Sequence, residues 1–206
     1  MTARRDRPDY YSRRAQQEQF ASRAVYKLAE IDQKYRLFRP GQRVLDLGCA
    51  PGSWLQYISS RVGPQGLVVG VDLQPLPAAL PPGVIFRQAD IMALDPESLR
   101  LAPVYDAVVS DLAPATSGSK DVDHQRSLAL ARRAWEVAQV LLRAGGQFLV
   151  KVFQGPDFPA FRGELAAAFR QVRIIKPAAS RPESREIYLL GYRRRTGPPG
   201  EGDNIH

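Results

Sequence analysis

A single cysteine, Cys49, stands in a chain of 206 residues, which excludes an internal disulfide framework. Two histidines beside one thiol are too few ligands for a protein-built zinc site, so no metal is expected. No apolar run reaches the length that spans a bilayer, and no membrane partner is expected. The opening stretch "MTARRDRPDYYSRR" lacks the apolar core of a signal peptide. It is Arg-rich, as a transit peptide would be, but Asp6 and Asp9 and the missing apolar face argue against that. A soluble, cytoplasmic, monomeric protein is the expectation.

Acidic residues are in short supply as well. Asp and Glu number 21 against 29 Lys and Arg, giving a net charge of +8. Such a balance suits a polyanionic partner, and it equally suits a merely soluble basic surface. The hydrophobic content of 44% is enough for one good core at this length, so a single domain is expected.

The first 21 residues are polar and basic, with Tyr10, Tyr11 and Phe20 interleaved, and read as a mobile arm able to track a phosphate backbone. From Ser22, "SRAVYKLAEIDQKY" reads as a capped amphipathic helix with Leu28, Ile31 and Tyr35 on one stripe. Arg23, Lys27, Glu30 and Lys34 fall on its polar face. Strand-like "VLDLG", "GLVVGVD", "VIFRQADI" and "YDAVVSD" follow, with the helix candidate "SWLQYISSRV" after the first. A long helix "DHQRSLALARRAWEVAQVLLRAGG" leads to strand "QFLVKVF", helix "FPAFRGELAAAFRQV", and strands "RIIKP" and "REIYLLGY". Alternating strands and helices predict an α/β domain over residues 22–193, with a mostly parallel sheet and helices on both faces. Only "AASRPES" separates the last two strands, too short for a crossover helix, so the final strand should run antiparallel. Residues 194–206 are Pro/Gly-rich and expected to be disordered.

In such sheets ligands bind beyond the carboxyl ends of the strands. The first strand runs into "DLGCAPGSW", where Gly48 and Gly52 allow a close backbone approach, but the spacing departs from the dinucleotide-binding G-x-G-x-x-G. Asp46, Asp72, Asp90 and Asp111 all fall at or just after strand ends. One such Asp is usually a turn former or cap. Four on one edge suit a cationic ligand with a ribose and an exocyclic amine, and S-adenosylmethionine fits: ribose hydroxyls to Asp72, the adenine amine to Asp90, the sulfonium or amine near Asp111.

If a methyl group is transferred, the acceptor can be narrowed. Carbon methylation of a pyrimidine needs a cysteine nucleophile, and Cys49 lies in the cofactor loop. The Asp/Asn-Pro-Pro-aromatic stretch usual in amino-group methyltransferases is replaced by "SDLAPATSG". A hydroxyl acceptor fits better and benefits from a base. Lys151, set in the apolar run "QFLVKVFQG", is the charge that needs a reason. Read alone, it would snorkel from a strand end and pair with Asp111.

Five motifs, "SRAVYKL", "VLDLGCAPGSW", "SDLAPATSG", "VKVFQG" and "KPAASRPESREIY", resemble in order and spacing those of the FtsJ (RrmJ) family of ribose 2'-O-methyltransferases. The likeness runs from Ser22 to Tyr192. It implies the class I S-adenosylmethionine-dependent methyltransferase (Rossmann-like) fold, with a seven-stranded, mostly parallel sheet, an antiparallel last strand and helices on both faces. It implies a catalytic tetrad of Lys27, Asp111, Lys151 and Glu186, and cofactor contacts from Gly52, Trp54, Asp72, Asp90 and Asp111. Lys151 would then be the base, with Lys27 favouring its free amine and Asp111 and Glu186 its ammonium. Taken singly, Lys27 with Glu30 reads as a surface pair, Glu186 as a strand-edge charge and Trp54 as core. Two departures from the family pattern, Ala115 for a frequent Asn and Ser53 for a frequent Gly, leave the tetrad intact.

The resemblance also implies an RNA partner. The stand-alone build is similar to bacterial members that methylate a uridine ribose in the A loop of large-subunit rRNA, acting on the assembled ribosomal subunit. Other members act on tRNA or mRNA caps. A catalytically silent ribosome-assembly factor is the rival from another class, and an intact tetrad counts against it.

Overall fold

The computed structural model describes residues 10–76, 80–181 and 184–196. Seven strands form one sheet in the order β3-β2-β1-β4-β5-β7-β6. They are β1 (Arg43–Leu47), β2 (Leu67–Asp72), β3 (Val84–Gln88), β4 (Tyr105–Ser110), β5 (Leu142–Phe153), β6 (Phe169–Ile175) and β7 (Glu186–Arg194). The first five are parallel neighbours, while β7 runs antiparallel between β5 and β6. The short connection "AASRPES" does what its length demands and reverses the last strand.

Among the described residues, five α-helices accompany the sheet: α1 (Tyr10–Gln17), α2 (Val25–Tyr35), α3 (Ser53–Val62), α4 (Lys120–Leu141) and α5 (Phe158–Ala168). On one face, α4 and α5 bury Trp135, Phe148, Phe161 and Phe169 with the strand valines. The other holds Leu28 and Ile31 of α2, and Trp54, Leu55 and Ile58 of α3. Each fully buried large apolar side chain contributes roughly 1.5–3 kcal/mol, and both faces of the central strands are covered, which explains their unbroken apolar runs. Among the described residues, no helix is long and apolar enough to cross a membrane.

Several expectations change. Residues 10–17 form a helix in place of a mobile arm: Ala15 is buried, and Tyr11 and Phe20 pack on Tyr26 at ring separations of 5.6 and 6.4 Å. Interleaved aromatics gave α1 a surface to bury. Residues 1–9, part of the expected arm, and 197–206, most of the expected disordered tail, lie outside the described residues, and Arg194 belongs to β7.

The helix expected through Val172 stops at Ala168, because Phe169 enters β6 and pairs with Arg194 of β7. Phe169 lies 5.4 Å from the Trp135 ring and 6.4 Å from that of Phe148, so tertiary burial and strand pairing override the local helical pattern. The long helix likewise ends at Leu141, not at the glycines, and Arg194 donates to the carbonyls of Ala138, Gln139 and Leu142 at its end. Finally, α2 begins at Val25 after Ala24, which offers no side-chain cap; the hydroxyl of Ser22 accepts from Ala24 N at 3.3 Å and bonds that of Ser53 at 2.8 Å.

Candidate active site

The reversed last strand decides the site. Because β7 is antiparallel to β5, its first residue lies beside the last residue of β5, and Glu186 pairs with Phe153 while Tyr188 pairs with Lys151. Asp111 follows β4, whose Ser110 pairs with Val150. Lys151, Asp111, Tyr188 and Glu186 therefore meet where the carboxyl ends of β4 and β5 lie beside the amino end of β7, and Lys27 reaches the group from α2.

The groups form a continuous chain. Lys151 Nζ donates to the Asp111 carbonyl at 2.6 Å and sits 3.1 Å from Asp111 Oδ1, with its side chain only 6% exposed. Tyr188 Oη donates to Asp111 Oδ1 at 2.7 Å and lies 3.4 Å from Glu186 Oε1. Lys27 Nζ closes the chain by donating to Glu186 Oε1, both side chains being mostly buried. Lys27 thus leaves the solvent-facing role that the helix periodicity suggested. All four members of the expected tetrad come together.

Tyr188 is the member that sequence reasoning missed, although it is the last letter of the quoted "REIY". Strand periodicity relative to Glu186, two residues earlier, placed both on one face. Burial, then the charges of Asp111 and Glu186, push its phenol well above the usual tyrosine range, so it acts as a donor.

Two cavities meet the ends of this chain. One, of about 470 Å³, is lined by Gly48, Asp72, Asp90, Ile91, Asp111 and Leu112 among others, a size that suits a cofactor. The second, of about 490 Å³, is lined by Ser22, Arg23, Lys27, Arg181, Ser184 and Glu186. Asp111 lines the first, Lys27 and Glu186 line the second, and Lys151 joins the first through Asp111.

The first cavity owes its shape to backbone bonds. Asp72 Oδ2 accepts from Ala50 N and Oδ1 from Gln74 N, both at 2.8 Å, which ties the glycine loop to the end of β2. Each oxygen keeps a lone pair for a ligand. Gly48 has φ +83°, and a Cβ there would collide with the Leu112 backbone, so only glycine permits this crossing. Asp90 Oδ1 accepts from Met92 N at 2.9 Å and also retains acceptor capacity. Carboxylates facing an open cavity at these positions fit a ribose and an amine.

Not every expected contact lies there. Gly52 and Trp54 are outside the lining of this cavity. Trp54 is buried, donates Nε1–H to the Ala24 carbonyl at 3.0 Å and packs 6.1 Å from the Tyr188 ring, bracing α2 under the tetrad. Asp46 also departs from the row of edge acids: it is fully buried within β1, and its carboxylate oxygens have no partner among the described residues. Burial, then Asp111 and Asp72, push its carboxyl well above the usual range. Burial also raises the Cys49 thiol, which removes it as a nucleophile.

Residues 20–194 match the FtsJ-like methyltransferase family. The chain is 45% identical over 184 residues to the ribosomal RNA large subunit methyltransferase E of Desulforapulum autotrophicum, covering 89% of this chain and 91% of that protein. It is 47% identical over 202 residues to the protein of the same name from Coxiella burnetii, covering 91% and 93%. Among solved structures, a ribosomal RNA methyltransferase from Plasmodium falciparum superimposes with a TM-score of 0.74 at 29% identity, over 85% of this chain and 98% of that one.

Proposed function

Since this chain belongs to the FtsJ-like methyltransferase family, we propose that it methylates a ribose 2'-oxygen in large-subunit rRNA, using S-adenosylmethionine, with Lys151 as the general base. The A-loop uridine of the assembled ribosomal subunit is the proposed target, and the cytoplasm the proposed compartment. One observation carries the chemical reading: buried Lys151 is bonded to Asp111, in the wall of the cavity with Asp72 and Asp90, and the chain runs on through Tyr188 to Glu186, in the wall of the cavity with Arg23 and Arg181.

Asp72 and Asp90 would hold the ribose and the adenine amine, with Asp111 at the methionine end; Gly52 and Trp54 would act by shaping the loop and its backing. When bound, S-adenosylmethionine supplies a methyl group on a sulfonium. The rest falls to the protein. As a free amine, Lys151 has two N–H bonds, and the Asp111 carbonyl and Oδ1 are placed to accept both. Its lone pair is then left for the proton of the attacking hydroxyl. Asp111 stabilises the ammonium that results, and Tyr188 holds Asp111 in place. The Lys27–Glu186 pair lines the opposite cavity, where it would fix the acceptor ribose. Arg23 and Arg181 supply cations for the flanking phosphates.

The test is transfer of labelled methyl from S-adenosylmethionine to intact large ribosomal subunits, free rRNA and tRNA, with Lys151→Ala in parallel and nuclease mapping of the product. Transfer to a 2'-oxygen that falls by about 10²–10⁴ in the variant is expected. Preference for tRNA would overturn the substrate, and full activity in Lys151→Ala would overturn the base.

A further inference from the structure

We propose that His124, which belongs to the lining of neither cavity, is a positioning residue for the catalytic edge, acting through the loop that follows Lys151. The inference rests on the methyltransferase reading above. His124 lies on α4 and is fully buried. A carbonyl only accepts, so Nδ1 donates to the Phe153 carbonyl at 2.9 Å; Nε2 then accepts from Asp157 N at 3.3 Å. One imidazole therefore grips both ends of the loop 153–157. Its neighbours on α4 add to the hold: Ser127 Oγ accepts from Phe153 N at 3.0 Å, and Gln125 donates to the Asp157 carboxylate.

The loop is the continuation of the catalytic strand. Phe153 lies two residues beyond Lys151 and pairs with Glu186, and Gln154 N donates to the Arg185 carbonyl at 3.0 Å. A displacement at Phe153 is thus passed to Lys151 along β5 and to Glu186 across the ladder. The sequence carries the other half of this device. Gly155 packs against the imidazole, and a Cβ at that position would come within 2.3–2.5 Å of three His124 ring atoms. Its φ is not in the left-handed region, so close approach alone requires the glycine. The "FQG" of "VKVFQG" thereby gains a reason: it is the seat of the histidine.

A merely structural histidine would affect stability alone, whereas a positioning one changes turnover and leaves cofactor affinity intact. The experiment compares full-length wild type with His124→Ala, His124→Asn, Gly155→Ala and the double variant His124→Ala/Gly155→Ala. Each is measured for kcat on large ribosomal subunits, KM for S-adenosylmethionine, and hydrogen exchange over residues 151–157. His124→Ala and Gly155→Ala are each expected to lower kcat by about 10–100-fold, as a misplacement on the order of 1 Å does, with KM little changed. His124→Asn, whose amide can still donate to the Phe153 carbonyl, should recover much of that loss. The double variant should turn over faster than Gly155→Ala alone, because the ring that its Cβ meets is gone. Wild-type kcat in His124→Ala, or a double variant no faster than Gly155→Ala, overturns the assignment. If wild type methylates no RNA, the methyltransferase reading fails by itself, and hydrogen exchange decides here: faster exchange in His124→Ala supports the clamp, and unchanged exchange refutes it.

Discussion

The phenol of Tyr188 donates to Asp111 Oδ1 at 2.7 Å from the strand position directly opposite Lys151. A single carboxylate thereby receives a phenol and an amine from two neighbouring strands, which constrains its rotamer. The three groups act as one unit, and the phenol also connects that unit to Glu186.

Tyr188→Phe keeps the ring that packs on Trp54 and removes only the hydroxyl. Asp111 retains Lys151 at 3.1 Å, so the carboxylate is loosened without being stranded. A hydrogen bond to a charged group is worth about 1.5–3 kcal/mol, and an expected loss of roughly tenfold in kcat follows if part of it is felt in the transition state. Steady-state kinetics on large ribosomal subunits check this; a change confined to KM for S-adenosylmethionine would contradict it.

Arg133 controls the other side of the site. From α4 it donates Nε–H to the Ile91 carbonyl at 2.8 Å and Nη2–H to the Leu94 carbonyl, pinning the turn after Asp90. Ile91 lines the cofactor cavity. Arg133→Gln cannot span both carbonyls, so the dissociation constant of S-adenosylmethionine should rise by about tenfold while kcat at saturating cofactor changes little. Isothermal titration with the cofactor reads the first effect, and an unchanged affinity would show the turn to be held by other means.

Asp46 predicts a pH-dependent stability. Its folded carboxyl holds a proton to a higher pH than the ordinary value of 3.8, because burial and the neighbouring Asp111 and Asp72 oppose its charge. Below that value both folded and unfolded forms are protonated. As pH rises, the unfolded carboxyl ionises first, the native state binds the extra proton, and stability is lost until the folded group also ionises. Asp46→Asn removes this slope. Its thermal midpoint should therefore exceed wild type by a margin that grows as pH rises above the ordinary carboxylate value of 3.8, each kcal/mol being worth about 2–4 °C at this chain length. A margin that is flat or shrinks with pH in thermal melts would refute the assignment.

The order of strands and helices was legible because each strand carries an apolar run bounded by turn residues. Lys151 was conspicuous as a charge inside one of them. Asp72, Asp90 and Asp111 could be placed on one edge because a parallel sheet puts every strand end on the same side. Less legible were the ends of elements. Phe169 sits in a helix-compatible stretch, yet the Trp135 and Phe148 rings draw it into β6. Asp46 reads in sequence like the other edge acids, and only its two-sided burial in β1 separates it from them.

What the sequence determined by itself was therefore periodic or local: the α/β alternation, the glycine loop at Gly48 and the reversal forced by a short last connection. What the tertiary structure decided was which side chains face one another across non-adjacent segments. Tyr188 bridges Asp111 and Glu186 only because β7 is inserted beside β5 in the opposite direction. His124 meets Gly155 only because α4 packs along the sheet beneath the loop. Local pattern fixes the face on which a residue lies, since it follows from the backbone period. Its partner depends on strand order and helix docking, which are settled by the burial of the whole core.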